Sequence, residues 1–320
     1  MRYIIYGAGA IGGVVGGRLF QHGHEVVLIA RGRHLEAIKR SGLVLESPNE
    51  RLTLPIPAVE LPSELEPRPD DVVMLAMKTQ DTEGALSELT ASFSDATPIL
   101  CLQNGVENER MALRHFRHVY AVPVMLPATH LEPGIVQANS ANRTGVLDVG
   151  LYPSGIDALA TRISADLAAS EFSSVPDANV MRKKYTKLLS NLGNALQAAC
   201  GDANTDEIAA RARDEAVTCY GAAGIDFASD AEDRDRRADH IRLAPIAGQR
   251  RGGGSTWQSL ARGKTTVEAD YLNGEICLLG RIHGVPTPVN ALLQRVANRL
   301  ARAGTPPGSM TPAELLAELG

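Results

Sequence analysis

The sequence lacks paired cysteines, a long hydrophobic run and any excess of positive charge, and each absence removes a class of function. Its four cysteines, Cys101, Cys200, Cys219 and Cys277, are scattered with no CxxC pair. Neither a zinc site nor a disulfide framework is indicated, no metal-ligand set stands out, and buried thiols are expected. No apolar run approaches the ~20 residues that a membrane-spanning helix needs. Apolar residues at 44% and charged residues at 22% sit in the ordinary globular range. A net charge of −5 gives no electrostatic reason to expect nucleic acid, so any bound anion must be gripped locally. The N-terminus enters an apolar stretch at once and leaves no room for a cleavable signal with a basic region; a cytoplasmic location is the expectation.

The length of 320 residues suits two domains, each able to bury a core. Up to about residue 175, short β-branched runs alternate with helical periodicity, as a parallel α/β sheet requires: "RYIIYG", "EVVLIA", "DDVVMLAMK", "TPILCLQNG" and "VYAVPVM". "LEPGIVQANS" and "TGVLDVGLYPSG" read as a hairpin-like addition to that core. Beyond about residue 178 the β-branched runs vanish and helical periodicity takes over. Gly201, Gly224 and Gly284 fall at helix C-cap positions, and "RRGGGST" at 250–256 reads as a mobile loop.

In "IIYGAGAIG", Gly7 permits a tight turn, Gly9 lets the backbone approach a pyrophosphate, and Gly12 lets a helix pack on the preceding strand. The N–H groups of this turn, through Ala10 and Ile11, would face the anion together with the helix dipole. The fold class expected is therefore α/β: an N-terminal Rossmann-type dinucleotide-binding domain over 1–177, followed by an all-helical domain over 178–320. NAD enzymes place an Asp or Glu at the end of the second strand, but "EVVLIA" runs into Ala30, Arg31, Gly32 and Arg33. A guanidinium there suits a 2′-phosphate, so NADPH is expected over NADH, with Arg31 as the main contact. The plainer alternative is that both arginines only solvate a turn.

Three further stretches carry a family likeness. "MLAMKTQDT" ends a strand with Lys78, "CLQNGVENE" ends the next with Asn104, and "YTKLLSNLGNAL" carries Lys187 and Asn191 one helical turn apart. With "ARGRHLEAIKRSGLVLES" and with Glu268 in "VEADYLNGE", the chain resembles, over nearly its whole length, the ketopantoate reductase family of NADPH-dependent 2-dehydropantoate 2-reductases. The resemblance implies a substrate cleft between the two domains. It implies Lys187 as the catalytic lysine, Asn104 beside the nicotinamide, Glu268 in substrate binding and catalysis, Lys78 on the cofactor side, and Asn191 as a substrate-binding asparagine. Two departures concern the substrate. A second helical asparagine is replaced by Ala195, with Asn194 beside it, and the substrate-contacting serine is matched by Ser255 or Thr256 at a spacing to Glu268 one residue longer than usual.

Reducing a 2-oxo acid needs a hydride donor, a group that protonates the developing alkoxide, and a grip on the carboxylate. Helical spacing puts Lys187, Asn191 and Asn194 on one face. Taken singly, each residue has a plainer reading. Lys187 follows Lys183 and Lys184 as a solvated lysine would, Glu268 suits a first helical turn, and Asn104 before Gly105 suits a turn. His130 reads as a satisfied loop histidine, and Trp257 as either a lid anchor or packing. Three functions follow: reduction of ketopantoate, reduction of another small 2-oxo acid, and an NADPH-binding sensor without catalysis. The partner expected is a small-molecule 2-oxo acid, with no nucleic acid and no membrane; a homodimer is left open.

Overall fold

The computed structural model describes residues 1–249 and 251–319. They form two compact units, Met1–Lys184 with Ser229–Arg251, and Tyr185–Ala228 with Gly252 onward. The sequence expectation put one boundary at 177/178, whereas these units divide inside a helix and return Ser229–Arg251 to the first. Among the described residues no helix is long and apolar enough to cross a membrane.

The first unit is built on a sheet whose central strands are apolar, as burial on both faces demands, except for an opening charged residue, Arg2 and Asp71 pairing with each other across two of them. Strand β1 (Arg2–Tyr6) pairs in parallel with β2 (Glu25–Ile29) on one side. The second sheet strands β3 (Leu43–Glu46) and β4 (Arg51–Leu54) come next in the chain, followed by β5 (Ala58–Val59), which extends the main sheet beyond β2. On the other side of β1 lie β6 (Asp71–Leu75), β7 (Ile99–Cys101) and β8 (Val119–Ala121), all parallel. The five apolar runs read from the sequence are thus β1, β2, β6, β7 and β8. The hairpin-like addition is not formed as expected. The strands β9 (Ala128–Thr129) and β10 (Ile135–Ala138) join β3 and β4 in a separate four-stranded sheet, and β11 (Gly150–Leu151) instead pairs antiparallel with β8.

Helix α1 (Ala10–Gln21) packs closely on both sheets, and its glycines explain how. A Cβ on Gly12 would lie 2.2 Å from the Gly7 carbonyl oxygen and 2.8 Å from Ala76 Cβ, and one on Gly13 would lie 2.7 Å from Val136 of β10. Gly7 itself has φ +101°, the turn conformation that glycine adopts without strain. The remaining helices of the first stretch are α2 (Gly32–Ser41), α3 (Thr82–Thr90), α4 (Asn108–Leu113) and α5 (Ala158–Ala169).

Helix α6 (Val180–Asn191) contributes to both units and is followed by α7 (Gly193–Cys200). The sequence suggests one uninterrupted helix here. The break falls at Leu192, whose φ and ψ of −58° and −32° stay helical while Asn273 Nδ2 donates to its carbonyl at 3.3 Å. The second unit adds α8 (Asp206–Ala223), and after α9 (Asp230–Arg237) of the first unit come α10 (Ser255–Ala261), α11 (Asn273–His283), α12 (Pro288–Arg302) and α13 (Pro312–Ala317). Its core gathers Leu196, Ile208, Leu260, Leu293 and Val296. Gly224 and Gly284 are left-handed C-caps of α8 and α11. All four cysteines are buried and free.

The segment carrying α9 is tied to the first unit by Asp148, whose side chain is 1% exposed. Arg236 Nε donates to it at 2.9 Å and Lys183 Nζ at 2.7 Å, while backbone bonds join Ala141 to Arg242 and Arg143 to His240. Burial opposes ionisation of Asp148, but the hydrogen bonds from Arg236 and Lys183 outweigh it and hold the carboxyl below the usual range. A carboxyl with a depressed folded pKa contributes stability above its unfolded value, ~3.9 for aspartate, and loses it as pH falls through the folded value. Hydrogen-exchange protection across residues 229–249 should therefore fall below about pH 4 in the wild type. Asp148→Asn should be less protected at neutral pH and lack that acid step; matching pH profiles in the two proteins would contradict the tether.

The glycine positions give a second test. Gly12→Ala should cost about 1–3 kcal/mol of stability through overpacking. Gly9→Ala, at a position with nothing within 4 Å, should cost less than about 1 kcal/mol as a lost cap preference. Equal losses in urea denaturation would refute the packing account of α1.

Candidate active site

In open parallel sheets, ligands bind outside the carboxyl ends of the strands, where the chain order reverses. Here β1 is followed by β2 on one flank and paired with β6 on the other, which puts that reversal beside β1. Gly7 directly follows β1, Arg31 lies two residues beyond β2, and Lys78 and Asn104 each lie three beyond β6 and β7. Four of the residues singled out from sequence therefore share one rim of the first unit.

The glycine turn at this rim fits a pyrophosphate. Gly9 is the N-cap residue of α1, makes no side-chain cap, and a Cβ there would meet nothing within 4 Å. The N–H groups of Ala10, Ile11 and Gly12 occupy the first turn, where a helix has no internal acceptors to offer them. His34 on α2 braces the turn: its Nε2 lies 2.7 Å from the Ala8 carbonyl, and its Nδ1 accepts from the Gly134 N–H at 2.8 Å. Its ring lies 4.2 Å from that of His130 at a tilt of 51°, and His130 Nδ1 lies 2.9 Å from the Ile135 carbonyl, so His130 is the satisfied loop histidine expected.

Arg31 is the N-cap residue of α2 and its side chain is 57% exposed. Arg33 is also exposed. Although no acid follows β2 in sequence, one arrives from α3. Arg31 Nη2 donates to both carboxylate oxygens of Glu88 at 2.8 Å and to the Tyr6 hydroxyl at 3.1 Å.

Asn104 is held by a buried polar lattice that sequence reasoning missed. Asn108, wholly buried at the start of α4, donates from Nδ2 to the Asn104 carbonyl at 2.9 Å and to Thr79 Oγ1 at 3.2 Å. Thr82 Oγ1 donates to Asn108 Oδ1 at 2.9 Å, and Gln103 Nε2 reaches Thr82 Oγ1 at 2.8 Å and the Met77 carbonyl at 3.0 Å. Beneath them Lys184 Nζ reaches the Gln103 carbonyl at 3.1 Å and pairs with Glu109, whose carboxyl is pushed up by burial against the pull of that lysine. The loops after β6 and β7 are thus laced together, with the half-buried Lys78 opening the first. The Asn104 side-chain oxygen is buried and accepts no hydrogen bond among the described residues. The signal for this lattice lay in "CLQNGVENE", where Gln103 and Asn108 flank the asparagine.

The second unit carries the remaining residues. Ser255 opens α10, and its Oγ donates to Glu268 Oε2 at 3.3 Å; Glu268 is 4% exposed. Thr256 is 2% exposed and turned into the unit. On α7, Asn194 Oδ1 lies 3.0 Å from where a Gly254 Cβ would stand, and Gln197 Oε1 accepts from the Gly254 N–H at 2.7 Å. Asn194 therefore faces the residue just before Ser255. Lys187 is half-buried on α6, and Asn191 is 3% exposed, with an Nδ2 that is buried and finds no acceptor among the described residues. Ala195, in place of an asparagine, lies in the apolar core beside Leu196. Trp257 packs on its own glycine run, since a Cβ on Gly253 would overlap its ring at 2.2 Å. Of the stretch 250–256, Arg250 lies outside the described residues.

The chain is similar to known proteins along nearly all its length. The family model described as "Ketopantoate reductase PanE/ApbA" matches residues 3–153, and its C-terminal counterpart matches 179–301. A 2-dehydropantoate 2-reductase of Pyrococcus horikoshii is 28% identical over 307 residues, covering 92% of this chain and 95% of that protein. One of Mesorhizobium japonicum is 28% identical over 334 residues, covering 94% and 98%. Among solved structures, a PanE/ApbA family ketopantoate reductase from Ralstonia eutropha matches with TM-score 0.79 and 28% identity over 95% of this chain and 99% of its own. A D-mandelate dehydrogenase solved with NADH and anilino(oxo)acetate shares the fold, with TM-score 0.81 and 24% identity over 95% and 99%. With its strand-end rim, its glycine turn and these matches, the chain belongs to the ketopantoate reductase family and is a dinucleotide-binding oxidoreductase.

Proposed function

We propose that the protein reduces a small 2-oxo acid with NADPH, and that the acid is 2-dehydropantoate, with pantoate as the product on the way to pantothenate and coenzyme A. The observation that carries the reading is the shared rim of Gly7, Arg31, Lys78 and Asn104 at the strand ends. The cofactor is assigned to residues 1–177. The turn from Gly7 through Gly9, Ala10, Ile11 and Gly12 would hold the pyrophosphate, Arg31 the 2′-phosphate, and Lys78 and Asn104 the nicotinamide side. The unpartnered Asn104 oxygen is a ready acceptor for an N–H or O–H of the bound pair. When bound, NADPH supplies the hydride that becomes the new C2–H bond.

The other side chains come from residues 178–320. Lys187 donates a proton to the carbonyl oxygen as it gains negative charge, leaving the 2-hydroxy acid. Glu268, with the Ser255 hydroxyl beside it, accepts a hydrogen bond from a substrate hydroxyl. Asn191 brings an unpaired amide N–H, suited to a substrate oxygen, and Asn194 lies next to the start of α10. Thr256, being buried, supports Ser255 rather than replacing it. A second reading keeps this chemistry with a different small 2-oxo acid, because Ala195 contributes no polar group where an asparagine is expected.

The primary test is NADPH oxidation with ketopantoate beside a panel of other 2-oxo acids, repeated with NADH. Turnover confined to ketopantoate and NADPH is the expected result, and faster reduction of another acid would reassign the substrate. Lys187→Ala should lower turnover about 100-fold or more, the scale of a positioned acid. Near-normal turnover would remove Lys187 from that role. Arg31→Ala should abolish the preference for NADPH over NADH, and an unchanged preference would end the 2′-phosphate assignment.

A further inference from the structure

The residue that sequence places alone at the end of β2 is not alone in space. Three side chains from three elements meet there: Tyr6, the last residue of β1; Arg31, just past β2; and Glu88, in the last turn of α3. Arg31 spends one nitrogen, Nη2, on Glu88 and on the Tyr6 oxygen, while Tyr6 donates its own proton to Glu88 Oε2. Burial and the Glu88 hydrogen bond push the Tyr6 phenol up, so it remains a donor at all ordinary pH values. The last turn of α3 contains no basic residue, so its negative dipole end adds to the charge of Glu88. Arg31 keeps Nε and Nη1 as donors, and each forms a guanidinium edge only with the occupied Nη2, so a two-nitrogen grip on a phosphate must share Nη2 with Glu88.

We propose that Glu88 is a specificity-determining residue, a carboxylate that competes with the cofactor's 2′-phosphate for Arg31 and thereby lowers the discrimination between phosphorylated and unphosphorylated dinucleotides. The inference rests on the reading that Arg31 meets the 2′-phosphate. The physical reason is a difference in charge balance. A guanidinium facing only water offers its whole charge to a dianion, whereas one neutralised by a carboxylate at 2.8 Å brings that dianion close to a like charge. An adenosine ribose without the phosphate meets no such repulsion, and its hydroxyl can donate to the same carboxylate. Glu88 thus does from α3 what an acid at the end of β2 does in NAD enzymes, but in partnership with an arginine. The pair is partly exposed, with side chains 57% and 36% accessible, so its influence is screened by salt.

The test isolates the 2′-phosphate by comparing 2′,5′-ADP with 5′-AMP on the full-length protein, by calorimetric titration at low ionic strength. Glu88→Gln keeps the shape and one acceptor oxygen for Arg31 and removes the charge. It should tighten 2′,5′-ADP about tenfold and leave AMP within about twofold, a gain that shrinks as salt rises. Equal shifts for both nucleotides, or weaker 2′,5′-ADP binding, would overturn the proposal; the second outcome would make Glu88 an orienting group for Arg31. Arg31→Ala in parallel separates the two layers. If it leaves the ratio of the two affinities unchanged, the 2′-phosphate reading fails and this inference with it. If it collapses the ratio while Glu88→Gln has no effect, only the role of Glu88 fails. Retained thermal stability of Glu88→Gln excludes misfolding as the cause.

Discussion

The close approach of α1 to the two sheets of the first unit sets the position of the glycine turn at the rim. Gly12 and Gly16 bring the helix onto the main sheet, where added side chains would strike Ala76, Ile5 and Leu28. Gly13 faces β10 of the other sheet. Helices carrying ordinary side chains stand roughly 8–10 Å from their neighbours, so a face with no Cβ atoms permits a nearer approach and fixes it sharply. The N-terminal end of α1 is therefore placed by apolar packing. Gly9, whose side is open, is the one glycine of the turn whose lack of a Cβ serves no contact within the protein.

Buried hydrogen bonds do the corresponding work at the far side of the rim. Gln103, Thr82, Asn108 and Thr79 tie the loops after β6 and β7 to one another, so Asn104 cannot move without breaking bonds to its own carbonyl. Such a lattice is costly when half made, because each orphaned polar group retains its desolvation cost of about 1–3 kcal/mol. That cost is visible at Asn104 Oδ1 and, in the second unit, at Asn191 Nδ2. A core selected only for stability would replace such atoms.

The legible parts of the sequence were those whose physics is local. Strands β1, β2, β6, β7 and β8 are buried on both faces over nearly all their length, which writes them as apolar runs after the opening Arg2, Glu25 and Asp71 of three of them, and the residues just beyond them follow by counting. The second sheet was misread because its strands are only two to four residues long and because Ile135 pairs with Val44, across some ninety positions of chain. The interruption at Leu192 left no mark, since its backbone angles remain helical and a distant asparagine takes its carbonyl. Glu88 was unreadable for another reason. On an amphipathic helix an acid that pairs with a distant arginine has the same local pattern as one facing water. Arg236 was hidden likewise within the charged run "EDRDRR", although it docks on the buried Asp148.

The charges divide by burial, and the division bears on which of them can meet a ligand. Lys184 with Glu109 is a closed pair deep in the first unit, and Asp148 is a buried carboxylate shared by Lys183 and Arg236; removing all the cations from either carboxylate would leave a buried charge uncompensated. They can hold a frame but cannot exchange partners within a catalytic cycle. Arg31 differs, since more than half of its side chain faces solvent and its ion pair is of the weak, screened kind. A protein with net charge −5 must attract a polyanion through such a local, exchangeable cation. Any new ion pair at Arg31 is measured against the one with Glu88 that it would replace, because the free energy of an exchange is the difference between the two.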